Sequence, residues 1–309
     1  MNTWRGKVDL GLVQYAAYVE TIAGAGPVVE SLRETLSDSS FSILDITHAK
    51  DPDARRECVA LLRDSGIRVA FSGNPPLAFG GFNLSSTEVS VRDLAVKRAK
   101  QLIDEAIAAG AEIAYFISGP DPGPDSRKRA YESLLDSMVC LCSYASDHSA
   151  GKRLVVGIEP GDRSVQHKQL LGPTEDAVWL AREIRRDHGN FGLVIDQSHI
   201  QQLGETPQAV IAQCAPFTHH FHLANAVVDD LAHPLYGDQH PAFGIPGGRV
   251  GVEDIAEFVK LVLSSKVWDG AAVPSLSLEV KSRNGENPRA VVEEAKAAFA
   301  AAWAKSGCD

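Results

Sequence analysis

The segment FGLVIDQSH, residues 191–199, is a short apolar, β-branched run that ends on a carboxylate, Asp196, before the chain turns polar. A run of this length bounded by polar residues reads as a strand covered on both faces. Upstream, Pro173-Thr174-Glu175-Asp176 precedes AVWLAREIRRDHG, whose apolar spacing and acidic, proline-marked start predict a helix. A buried strand that follows a helix in this way is one unit of an α/β fold.

The same unit extends in both directions. Strand-like runs recur as LGLVQY (10–15), FSILDIT (41–47), IRVAFSG (67–73), AEIAYFISG (111–119), RLVVGIEP (153–160), FTHHFHLAN (217–225) and SLSLEVKS (275–282), eight in all with the first. Helical segments lie between them, such as ARRECVALLRDSG after Asp51-Pro52-Asp53. Strands apolar along most of their length and separated by helices are parallel, and each right-handed crossover adds one strand in the same sense. Eight such units close into a (β/α)8 TIM barrel, expected as one domain over residues 1–309. The rival is an open doubly wound sheet, which favours a glycine-rich turn after its first strand; VQYAAYVETIAGAG carries no GxGxxG.

In a barrel the chemistry sits at the C-terminal ends of the strands, so a polar residue late in an apolar strand is informative. Four consecutive strands carry one: Glu159 ends VVGIE, Asp196 ends GLVID, His222 lies in HHFHL and Glu279 ends SLSLE. Three carboxylates and an imidazole converging on one mouth are costly unless a cation neutralises them. A divalent metal ion does so. Oxygen-rich ligation with one nitrogen makes Mn²⁺ the first expectation, with Mg²⁺, Co²⁺ or Zn²⁺ as alternatives to it. Buried ion pairs would need cationic partners, and only Lys281 and Arg283 stand near these strand ends.

With 44% apolar and 23% charged residues the chain suits an ordinary globular core, and its net charge of −10 argues against a nucleic-acid partner. The five cysteines, Cys58, Cys140, Cys142, Cys214 and Cys308, are scattered and read as reduced. The start, MNTWRGKVDL, has no leader-like apolar stretch and no window is long and apolar enough to span a membrane, so a cytoplasmic location without membrane contact is expected.

The segments Gly157-Ile158-Glu159, Ile195 to His199, His220 to Leu223, Gly244 to Arg249 and Leu278-Glu279-Val280, in this order, resemble the xylose-isomerase-like barrel superfamily, which includes sugar isomerases, ketose 3-epimerases, inosose dehydratases and metal-dependent AP endonucleases. The resemblance covers most of residues 150–300. It implies metal ligation by Glu159, Asp196, His222 and Glu279, and implies that His199 reaches the substrate or a metal-bound oxygen. It further implies a sugar, keto-sugar or cyclitol substrate, from which Glu159 and Glu279 move a proton next to a carbonyl through a metal-stabilised enediolate, as in isomerisation or epimerisation. A lyase of the same barrel, eliminating a substituent from the same enolate, is the alternative; a nuclease and a silent binding barrel are rivals from other classes. The absence of an Arg/Lys-rich grip near the seventh strand favours an unphosphorylated substrate.

Other residues are weighed beside these. The long loop 226–249 holds His233, Tyr236, Asp238 and His240, and loops of that length are uncommon unless functional. Asp238-Gln239-His240 resembles the D-x-H pair that AP endonucleases use for additional metals, but the extra histidines are missing after the third and fourth strands, so one metal is expected. His240 is the candidate acid if elimination is the reaction. His220 is a candidate partner behind His222, and His48 is open between mouth and surface. The segment 291–307 reads as a closing helix with Trp303 in the core. A homo-oligomer or a small partner subunit is left open.

Overall fold

A computed structural model describes residues 4–149, 151, 153–265, 273–283 and 285–308. The first three residues of the stretch read for a leader lie outside these. Among the described residues eight strands form a closed barrel in sequence order: β1 (Asp9–Val13), β2 (Ile43–Thr47), β3 (Arg68–Ser72), β4 (Ile113–Phe116), β5 (Val155–Ile158), β6 (Phe191–Asp196), β7 (Thr218–Leu223) and β8 (Ser275–Leu278). All neighbours are parallel, and β8 closes on β1 with Gly11 opposite Ser277. The helices are α1 (Gln14–Ala17), α2 (Val28–Leu36), α3 (Pro52–Ser65), α4 (Asn74–Gly80), α5 (Val89–Ala109), α6 (Pro124–His148), α7 (Thr174–Arg185), α8 (Gln197–Leu203), α9 (Pro207–Cys214), α10 (Val252–Ser264) and α11 (Pro288–Ser306). The expected TIM barrel is the observed one.

The local signals act where expected. Asp51 caps α3 by accepting from the backbone N–H groups of Asp53 and Ala54, Pro52 occupies the first turn, and Gly66 ends the helix in the left-handed region. Trp303 is buried in the core, and the five cysteines are free.

Alternation along each strand separates two cores. Outward residues such as Leu12, Leu44, Phe71, Phe116, Ile158, Phe221 and Leu278 pack under the helices. Inside, Ile43, Ala70, Ile113, Tyr115, Val155 and Val194 form a separate, narrower cluster. The interior tolerates little volume: a Cβ on Gly11 would lie 2.3 Å from Ser277 Oγ, and one on Gly157 would lie 2.7 Å from Tyr115 Cβ. Above this plug the inward positions turn polar, and the mouth begins.

No helix among the described residues is long and apolar enough to cross a membrane.

Candidate metal centre

Four side chains expected from the sequence meet at the C-terminal end of the barrel. Glu159 and Glu279 stand immediately after β5 and β8, Asp196 ends β6 and His222 lies in β7, all buried. They converge on one ring nitrogen: His222 Nδ1 is 3.1 Å from Glu159 Oε1, 3.0 Å from Glu279 Oε2 and 3.9 Å from Asp196 Oδ2. Each of the four offers a ligand atom within 4.8 Å of the others.

The chain itself divides the work of Asp196. As the sequence reading has it, the strand stops at Asp196; α8 starts at once, because the Asp196 carboxylate caps it through Oδ1 to the N–H groups of Ser198 and His199. The other oxygen, Oδ2, is buried and has no hydrogen-bond partner among the described residues. A buried carboxylate oxygen aimed at two glutamates without a donor is an expensive arrangement for a protein alone, and one that a cation relieves. The alternative of a structural ion pair fails for the described residues, since no Lys or Arg pairs with these carboxylates; Lys281 Nζ donates to the backbone carbonyl of Asp238 instead. The donor set of three carboxylates and one imidazole fits a divalent ion.

The electrostatics point the same way. Burial opposes charge on His222, yet Glu159 and Glu279, with a hydrogen bond from the ring to Asp45, raise its pKa well above the ordinary histidine value. Burial pushes the Asp196 carboxyl up despite His199, and Glu279 adds to the rise. Without a cation, then, a proton on His222 Nδ1 takes the place of positive charge among the carboxylates. Metal uptake must expel that proton, so affinity should weaken as pH falls, by about tenfold per pH unit where one proton is released. Titration calorimetry of Mn²⁺ in two buffers of different ionisation heat measures the release; affinity unchanged over about pH 5 to 8 would contradict it.

Around the four candidate ligands stands a second set. His199, in the first turn of α8, has Nδ1 2.9 Å from the Pro160 carbonyl and Nε2 3.1 Å from Asp238 Oδ1, so both ring nitrogens face protein acceptors. Asp238 also accepts from Gln202 and pairs with His167, and its Oδ1 lies 3.3 Å from His240 Nε2. Burial opposes ionisation of Asp238, but His240 and His199 hold its carboxyl well below the usual range. The segment 238–240 is thereby clamped between the β5–α7 loop, where Gln166 accepts from the Asp238 N–H, and the end of β8, where Lys281 N donates to the His240 carbonyl. His240 is buried and sits 3.6 Å from Glu279 Oε1. The long loop therefore delivers His240 to the edge of the candidate metal centre.

His48 turns away from the mouth: its Nδ1 is 2.7 Å from Glu105 on α5, where Arg55 also binds that carboxylate. His220 does lie behind His222, as expected. Residues absent from the sequence reading are Asp45, which accepts from both His220 and His222, Tyr115 beside it, and Asn74, which donates to Glu159 Oε2. Asp45 gives the same signal as the candidate carboxylate ligands, an acidic residue in an apolar strand, but two residues before the end of β2.

A family model described as xylose isomerase-like TIM barrel matches residues 35–302. No curated protein sequence matches the chain. Solved structures with this fold include a D-psicose 3-epimerase with D-tagatose from Clostridium cellulolyticum H10, at 13% identity and TM-score 0.67 over 97% of this chain and 98% of that one. Another is a 3-keto-D-glucoside 4-epimerase from E. coli, at 14% identity and TM-score 0.65 over 94% and 98%. A third is the IOLI protein with a binding zinc atom, at 12% identity and TM-score 0.70 over 98% and 100%. At these identities the likeness is one of fold.

Proposed function

The chain belongs to the xylose isomerase-like TIM-barrel family, and from that premise we propose that it is a divalent-metal-dependent isomerase or epimerase of an unphosphorylated sugar, keto-sugar or cyclitol. The observation that carries the reading is the arrangement of two glutamates. Glu159 and Glu279 each turn one oxygen toward His222 Nδ1, and each keeps a second oxygen, Glu159 Oε2 beside Asn74 and Glu279 Oε1 beside His240. One oxygen of each is thus available to a cation and the other to a substrate proton. A divalent ion held by Glu159, Asp196, His222 and Glu279 would supply positive charge to the substrate oxygens. The carboxylates then serve as the base that takes the proton next to the carbonyl and the acid that returns it. Mn²⁺ remains the first choice, and the sugar epimerases among the fold neighbours support the substrate class. Lys281 is committed to a backbone carbonyl, which supports a substrate without phosphate. A panel of keto-sugars incubated with Mn²⁺ in D₂O tests the proposal: deuterium should enter the acidic carbon of at least one of them, and a panel with no exchange would sink it.

His240 favours a second reading, elimination by a lyase. It holds φ at 40°, a left-handed conformation that costs a residue with a side chain about 1–2 kcal/mol, and strain of this kind gathers at functional sites. Burial opposes its charge, but Asp238 and Glu279 raise its pKa, which suits it to protonate a leaving oxygen. In a lyase, His240→Ala should slow release of the substituent while deuterium exchange at the acidic carbon continues. If turnover with every accepted substrate stays near normal, His240 only fills the loop.

A further inference from the structure

Directly beneath the metal centre, inside the barrel, Asp45 is a fully buried carboxylate with four donors and no lysine or arginine among the described residues. Its Oδ1 accepts from His222 Nε2 at 3.1 Å and from the Tyr115 hydroxyl at 3.0 Å. Its Oδ2 accepts from His220 Nε2 at 3.1 Å and from Ser277 Oγ at 2.5 Å. Tyr115 in turn shares a hydrogen bond with Tyr15 and packs edge-on against the His222 ring, with centroids 5.6 Å apart. Two partners converge on each oxygen of Asp45, so the carboxylate is the acceptor of all four hydrogen bonds and the ring nitrogens facing it carry their protons.

That requirement decides the chemistry of His222. With Nε2 protonated toward Asp45, the lone pair of the neutral ring lies on Nδ1, the nitrogen surrounded by Glu159, Asp196 and Glu279. We infer that Asp45 is a positioning residue for the metal centre, fixing the tautomer and plane of His222 so that Nδ1 faces the cation. The inference rests on the metal reading above. Asp45, His220 and His222 also lie close enough to be taken for an ion site of their own. Each oxygen of Asp45 already has two donors, so hydrogen bonds account for that cluster without an ion.

The test is the dissociation constant of Mn²⁺, measured by chelator competition, for the wild-type chain and for Asp45→Asn. The asparagine keeps the shape but sets an N–H against a histidine N–H, so Mn²⁺ affinity should fall about 10–100-fold, the scale for loss of a partner behind a ligand. A thermal melt confirms that the variant is folded. Imidazole ¹⁵N spectra of the zinc-loaded wild-type chain add a readout that needs no variant: His222 should carry a proton on Nε2 that exchanges slowly with solvent. A folded Asp45→Asn variant that binds Mn²⁺ within about twofold of wild type overturns the inference and leaves the metal reading intact. So does a zinc-loaded wild type whose His222 Nε2 has no proton. A wild-type chain that takes up no divalent ion overturns both.

Discussion

Replacing Asp196 or His222 is expected to abolish tight divalent-ion binding, from about one ion per chain to none. Asp196 contributes a buried oxygen, Oδ2, without a hydrogen-bond partner among the described residues, and His222 contributes the nitrogen on which the three carboxylates converge. The loss should exceed the ~10–100-fold cost of removing an outer partner, because a ligand itself is gone. Asp196→Ala carries a second effect: it deletes the cap of α8, worth about 0.5–2 kcal/mol of stability. Asp196→Asn separates the two, since the amide oxygen can still cap the helix while the charge at the centre is lost. Elemental analysis and Mn²⁺ titration of Asp196→Asn and His222→Ala decide the matter; unchanged affinity in both removes the assignment.

Glu159→Gln and Glu279→Gln should each lower turnover by about 10²-fold or more, the scale of a lost general base. The two carboxylates come from β5 and β8 and border the mouth from different sides, so one can take a proton that the other returns. Each glutamine keeps an oxygen for the cation and the approximate shape of the site. Rates measured at saturating Mn²⁺ therefore separate a chemical defect from weaker loading. Retained activity in both variants would mean that the glutamates only hold metal, and proton transfer would have to be sought elsewhere in the mouth.

The four candidate ligand positions were legible because a polar residue late in an otherwise apolar barrel strand has its place at the mouth. Glu159, Asp196, His222 and Glu279 all obey that pattern. Asp45 obeys it too, yet sits within FSILDIT and not at its edge, and its role depends on which donors the opposite wall of the barrel supplies. His220 and Ser277 come from strands far away in the chain, and nothing local in FSILDIT encodes them. His48 shows the opposite limit, since its position after a strand suits the mouth as well as the helix layer. Only the packing of α5, which brings Glu105 within hydrogen-bond reach, sends it outward.

Strand and helix identity, their alternation and hence the closed barrel follow from the sequence alone, because period and punctuation are local properties written into each segment. So does the convergence of the four candidate ligands, because barrel closure places every strand end at one mouth. Tertiary structure alone decided how those groups are used. It spends one oxygen of Asp196 on a helix cap and leaves the other bare, it locks the loop carrying His240 through Asp238 onto two neighbouring elements, and it directs the His222 ring with a carboxylate from across the barrel. These are contacts between residues 39 to 177 positions apart, apart from the cap, and their geometry exists only once the barrel has closed.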